Sequence, residues 1–156
     1  MSERSVLLHA VGDIMLGDHP LNAGRGAHSA FRSQPAGYPF AHVASTLARA
    51  DLAFGNLECT LSEHGLRPGD HHSMQLRGQL SYVESLRQGG FGVLCMANNH
   101  SMQHGRDSFI ETVDALRNAA VITVLKDPKS HGSALLRFDI ALNAGERRAI
   151  GWNATL

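Results

Sequence analysis

The stretch Val93-Leu94-Cys95-Met96-Ala97-Asn98-Asn99-His100 constrains this chain most. Four apolar residues run directly into a cluster of amides and an imidazole. An apolar run of that length suits a strand buried on both faces, as in a parallel sheet. The polar triplet then falls just past the strand's C-terminal end, the side on which open α/β sheets gather ligands. Gly105 to Asn118 reads as the helix that follows, so the unit is strand, polar loop, helix.

The same grammar recurs upstream. Ser5 to Val11 reads as a strand ended by Gly12-Asp13. Leu52 to Gly55 reads as a second, ending in Asn56-Leu57-Glu58. Between them, Asn22 to Pro39 is rich in Gly, Ala, Ser and His and reads as a long loop, a length that is usually functional or mobile. Ala41 to Arg49 fits a helix with Val43 and Leu47 on one face. Ser62 to Leu76 is polar and loop-like, with Gly65, Pro68, Gly69 and the pair His71-His72.

Two capping boxes are expected, Ser81 with Glu84 and Ser108 with Glu111. Leu80, Val83 and Leu86 mark the buried stripe of the first helix, which stops at Gly89-Gly90. Phe109, Val113 and Leu116 mark that of the second. Val121 to Leu125 is a fourth strand. Asp127 to Gly132 is a turn region. Residues 134–142 and 148–152 suit a hairpin across Asn143-Ala144-Gly145. Alternation of this kind argues a mostly parallel α/β sheet. Right-handed crossovers then place Asp13, Asn56 with Glu58, and Asn99 with His100 on one sheet edge.

At 156 residues the chain suits a single domain, 1–156, able to bury a real core. Its 14 basic and 14 acidic residues cancel, so no overall field draws it to nucleic acid or anionic lipid. Cys59 and Cys95 share no CxxC spacing. Cys95 reads as a small core residue and Cys59 as a loop thiol; no disulfide is required. The apolar run after Met1-Ser2-Glu3-Arg4 is too short for a secretory signal, and no run is long enough to span a membrane. The expected location is cytoplasmic.

Asp, Glu, Asn and His at one sheet edge are ligand types for a hard or borderline divalent cation. His can ligate, or it can protonate a leaving oxygen. Two ions about 3.5–4 Å apart would need such a mixed shell. Each piece also has a plain structural use: Gly12-Asp13 as a strand exit, Asn56 and Glu58 as loop caps. His71-His72, His104 and His131 read as solvated histidines.

Taken together, three blocks carry a family resemblance. Gly12-Asp13-Ile14-Met15-Leu16, then Asp51-Leu52-Ala53-Phe54-Gly55-Asn56-Leu57-Glu58, then Gly90-Phe91 leading to Ala97-Asn98-Asn99-His100-Ser101, resemble the CapA-type poly-γ-glutamate capsule-biosynthesis proteins. Tyr38-Pro39-Phe40, and Thr112 with Leu116, add to the likeness, which covers Val6 to about Ala120.

The resemblance implies a metallophosphoesterase-like, layered α/β/β/α fold, metal ligands at Asp13, Asn56, Glu58 and Asn99, and His100 as the catalytic acid. It implies one or two divalent ions, with Mn, Zn, Fe and Mg not distinguished. It implies poly-γ-glutamate and capsule-synthesis subunits as partners, and membrane association. The first block reads Asp13-Ile14-Met15 where related phosphoesterases often have Asp-x-His. Gln103-His104-Gly105 stands where many members carry an Asp before an aromatic-Gly pair. The family's later His-x-Gly-x-Glu block is not found, and His131-Gly132-Ser133 lacks the glutamate. The expectation is therefore the N-terminal part of such a domain. Two functions follow: a metal-dependent phosphoesterase-type hydrolase, or a non-catalytic polymer-binding or assembly component of a capsule-synthesis complex.

Overall fold

The computed structural model describes residues 5–125, 138–143 and 146–152. The chain divides into two compact units, residues 1–125 and 126–156. In the first, a four-stranded sheet is built from β1 (Leu8–Ile14), β2 (Leu52–Leu57), β5 (Val93–Cys95) and β6 (Ile122–Val124), in that spatial order, every neighbouring pair parallel. Two short strands, β3 (Thr60–Leu61) and β4 (Arg77–Gly78), form a separate parallel pair. The second unit contains an antiparallel hairpin of β7 (Phe138–Asn143) and β8 (Glu146–Trp152), as the sequence pattern predicts. The turn expected over 127–132, His131, and the Ala144-Gly145 tip lie outside the described residues.

The α/β class with a parallel sheet is the one the strand–helix alternation predicts. β2 alternates half-buried and buried positions, so Ala53 and Leu57 enter the core while Asn56 faces the other way. Leu57, Leu61, Leu86, Leu94, Met96 and Leu116 form the centre of that core. Helix α3 (Tyr82–Gln88) buries Val83 and Leu86 and exits at Gly90, whose φ of 91° only glycine adopts without strain. Helix α4 spans Gly105–Asn118, the predicted bounds, and buries Ser108, Thr112, Val113 and Leu116.

Several expectations change. β1 runs on to Ile14, so Gly12-Asp13 do not end it. The register slips between Ala10 and Asp13, and pairing resumes with Asp13 opposite Asn56 and Ile14 opposite Leu57. The expected loop over 22–39 contains helix α1 (Ala27–Phe31) and a 3₁₀ turn over Tyr38–Phe40. Helix α2 (Ala44–Leu47) is shorter than predicted; Leu47 is buried but Val43 is exposed.

Neither capping box forms. Glu84 instead takes two 2.7 Å bonds from the Arg87 guanidinium, and with Gln88 these hold its carboxyl down at about 2. Ser108 lies inside α4, where its hydroxyl donates to the His64 carbonyl. Cys59 is fully buried, and that burial pushes its thiol up to about 12. Cys95 is only half-buried.

Candidate functional site at the C-terminal sheet edge

Parallel pairing sets the site. Asp13 on β1 lies in register with Asn56 on β2, and Asn56 with Cys95 at the end of β5. Three strand ends therefore release their polar residues at one level, because strands that pair in parallel all run out at the same sheet edge.

Asn56 is the junction. Its amide nitrogen donates to Asp13 Oδ1 at 2.8 Å and also to Glu58 Oε2. Two carboxylate oxygens thus converge on one donor. Asp13 is exposed; Asn56 and Glu58 are half-buried. The Glu58 backbone N–H donates to the Ile14 carbonyl at 3.0 Å, which fixes the chain where it leaves β2.

From the next strand end, Asn98 donates its amide nitrogen to Asn56 Oδ1 at 3.1 Å and to the Leu57 carbonyl at 2.9 Å. Asn98 Oδ1 accepts from the His100 backbone N–H at 3.1 Å and from the Ser101 hydroxyl at 3.0 Å. That is an Asx turn, in which a short amide side chain stands in for backbone and turns the chain. The turn brings His100 Nε2 to 3.9 Å from Glu58 Oε1. His100 Nδ1 is buried and has no hydrogen-bond partner.

The structure therefore joins Asp13, Asn56, Glu58 and His100 through direct contacts. Asn99 is exposed, and no hydrogen bond or ion pair among the described residues joins it to the other four. Asn98 belongs to the polar triplet that the sequence marks out, but the sequence assigns it no role of its own. Its signal was available: Asn at the strand exit with Ser three positions on, a turn-forming pair.

The donor set can be tested against a cation. Two carboxylate oxygens this close repel unless a donor or a positive charge lies between them. Here an amide N–H₂ takes that place. Oxygen donors beside an imidazole suit a hard or borderline divalent ion, so the residues present fit one. Among the described residues no three His, Cys, Asp or Glu side chains gather closely enough to hold a metal by themselves. The amide oxygens of Asn56 and Asn99 would have to serve. Asp13 also borders an apolar cleft of ≈ 310 Å³ whose walls include Met15, Phe31, Phe40 and Phe91.

Comparison with known proteins bears on this arrangement. The family described as "Bacterial capsule synthesis protein PGA_cap" matches residues 7–124, most of the chain. The chain is similar to the capsule biosynthesis protein CapA of Bacillus anthracis, 28% identical over 111 residues. That alignment covers 70% of this chain and 25% of the relative, so the chain spans about a quarter of the length of the curated protein it matches. Among the described residues no helix is long and apolar enough to cross a membrane.

Proposed function

The chain belongs to the PGA_cap family of bacterial capsule synthesis proteins, and from that premise we propose that its sheet edge is a metal-assisted, phosphoesterase-type hydrolytic site serving capsule biosynthesis. One observation carries the reading. The Asn56 amide sits between the carboxylates of Asp13 and Glu58, with Asn98 and His100 brought against them from the next strand.

In this reading Asp13, Asn56, Glu58 and Asn99 hold one or two divalent ions. A bound ion would supply Lewis acidity to a phosphoryl or related electrophilic centre. The remaining work falls to the chain. Glu58 orients the His100 ring, and His100 carries the proton that the departing oxygen needs. Asn98 sets the turn that positions His100 and braces Asn56. The apolar cleft beside Asp13 receives a nonpolar part of the substrate and keeps water from that side. Poly-γ-glutamate and capsule-synthesis subunits are the proposed partners.

Titration with Mn²⁺ and Zn²⁺ tests the site, read by calorimetry on the wild type, Asp13→Ala and Asn99→Ala. Weaker binding in the variants, with chelator-sensitive turnover of an aryl phosphate, is the expected result. Equal binding in all three proteins sinks the metal assignment. Retention on poly-γ-glutamate that ignores EDTA, without turnover, would instead make the chain a binding or assembly component.

A further inference from the structure

A second cleft, of ≈ 170 Å³, shares no residue with the Asp13 network. Its walls include His28 and Arg32 from α1 and the turn after it, and Arg67, Asp70 and His71 from the segment before β4. Its volume is below the roughly 300–1,000 Å³ of sites for drug-sized ligands, and it suits a small ion or a single functional group.

Charge decides what that group is. Arg32 and Arg67 are both exposed, and neither makes an ion pair with a carboxylate among the described residues. The one acid in the wall, Asp70, spends its carboxylate on the His72 backbone N–H at 2.9 Å, capping the short 3₁₀ turn over His71–Met74. Asp18 lies near His28 but is engaged elsewhere: Ser29 donates to it from its backbone N–H at 2.8 Å and from its hydroxyl at 2.6 Å. Arg32 and Arg67 thus bring two positive charges to the cleft wall against the single carboxylate of Asp70, which backbone holds in place.

The second observation is His28 itself. It is 94% buried, packs edge-on to Tyr82 at 6.1 Å, and its Nδ1 is buried with no hydrogen-bond partner. His28 is one of the residues lining the cleft, and its unpaired buried nitrogen is a group that a bound acceptor reaching the ring would satisfy. Burial holds the ring below the ordinary imidazole range, so it is neutral near pH 7 and retains one N–H to offer.

We propose that this cleft is an oxyanion subsite, in which Arg32 and Arg67 clamp a carboxylate or phosphoryl group and His28 donates to one of its oxygens. Guanidinium forks match both groups bidentately, and the neutral histidine adds a directional bond without adding charge. The proposal is independent of the metal site, because no residue of that network lines the cleft.

The test is titration of the whole chain with inorganic phosphate and, separately, with glutarate, followed by ¹⁵N shifts of the His28 ring and by calorimetry. Saturable binding of phosphate alone assigns a phosphoryl group; of glutarate alone, a carboxylate; of both, a general oxyanion site. Arg32→Gln/Arg67→Gln changes only exposed side chains and should weaken that binding at least tenfold and abolish the His28 shift. Asp13→Ala should bind as the wild type does. No saturable binding of either anion, or equal binding in the double variant, overturns the proposal.

Discussion

Asn98 donates its side-chain amide to Asn56 Oδ1 at 3.1 Å, from the end of one strand to the end of the next, although the two residues are 42 positions apart. The bond makes Asn98 a brace for the junction between Asp13 and Glu58. Through its own Oδ1 it also dictates the turn that presents His100. The integrity of the site therefore depends on a residue that touches neither carboxylate directly.

Asn98→Ala should cost stability and cation binding together. It strands the Leu57 carbonyl and the His100 N–H, while the Ser101 hydroxyl keeps the Met96 carbonyl, a loss of about 1–3 kcal/mol. Loss of an outer brace typically weakens metal binding by about 10–100-fold. Urea denaturation and Mn²⁺ titration of the same variant check both effects. A stable variant with unchanged affinity would remove Asn98 from the site.

Asp13→Ala should separate the two effects. Asp13 is exposed, so its removal should change folding stability by no more than about 0.5 kcal/mol. Mn²⁺ affinity should nevertheless drop by at least tenfold. Thermal melts with and without Mn²⁺ report this directly, since at one Mn²⁺ concentration the ion should raise Tm less in the variant than in the wild type.

The two thiols should behave differently toward alkylation. Cys59 is wholly buried with its thiol pushed up to about 12, whereas Cys95 is half-buried. At pH 8, Cys95 should label first, and Cys59 only after unfolding. The raised Cys59 value also has a pH consequence. The unfolded thiol ionises near 9.0 and the folded one near 12, so the folded state keeps a proton that the unfolded state loses. This contribution is fully present below about 9 and declines as pH rises from 9 towards 12. A Cys59 labelled at pH 8 at the rate of Cys95 would contradict the burial.

Glu111→Ala should loosen the segment after β3. The Glu111 carboxylate accepts from the Ser62 hydroxyl and from the backbone N–H groups of Glu63 (3.0 Å) and His64 (3.1 Å). Partial burial works against its ionisation, but those three bonds prevail and hold the carboxyl below the usual range. A lowered carboxyl stabilises the fold above its unfolded value, and the effect is lost as pH falls through the folded one. The substitution should therefore cost about 1–3 kcal/mol at pH 7 and progressively less below pH 4. Denaturant midpoints at pH 7 and pH 3 check the sign. An equal loss at both would show that the carboxylate charge plays no part.

By itself the sequence determined the strand–helix alternation, the bounds of α4, and the nearness of Asp13, Asn56, Glu58 and His100 to the C-terminal ends of parallel strands, though β1 and β2 each run further than it predicts. These are short-range matters: apolar runs, helical spacing and glycine exits are read from neighbours in the chain. Tertiary structure alone decided the rest. α1 sits in a segment that looks like loop, where buried Asp18 binds Ser29 and bridges to Gly26 and Gln75, contacts no local pattern announces. Glu84 and Glu111 each fit a capping box, yet one took Arg87 and the other the Ser62 hydroxyl and the 63–64 backbone, because those partners offered more donors than the helix ends did. Cys59 read as a loop thiol because the residues that bury it come from elsewhere in the chain. Asn98 and Asn99 are the same residue type side by side. Only the strand end beside them, 42 residues away in sequence, distinguishes the amide that braces Asn56 from the one left exposed.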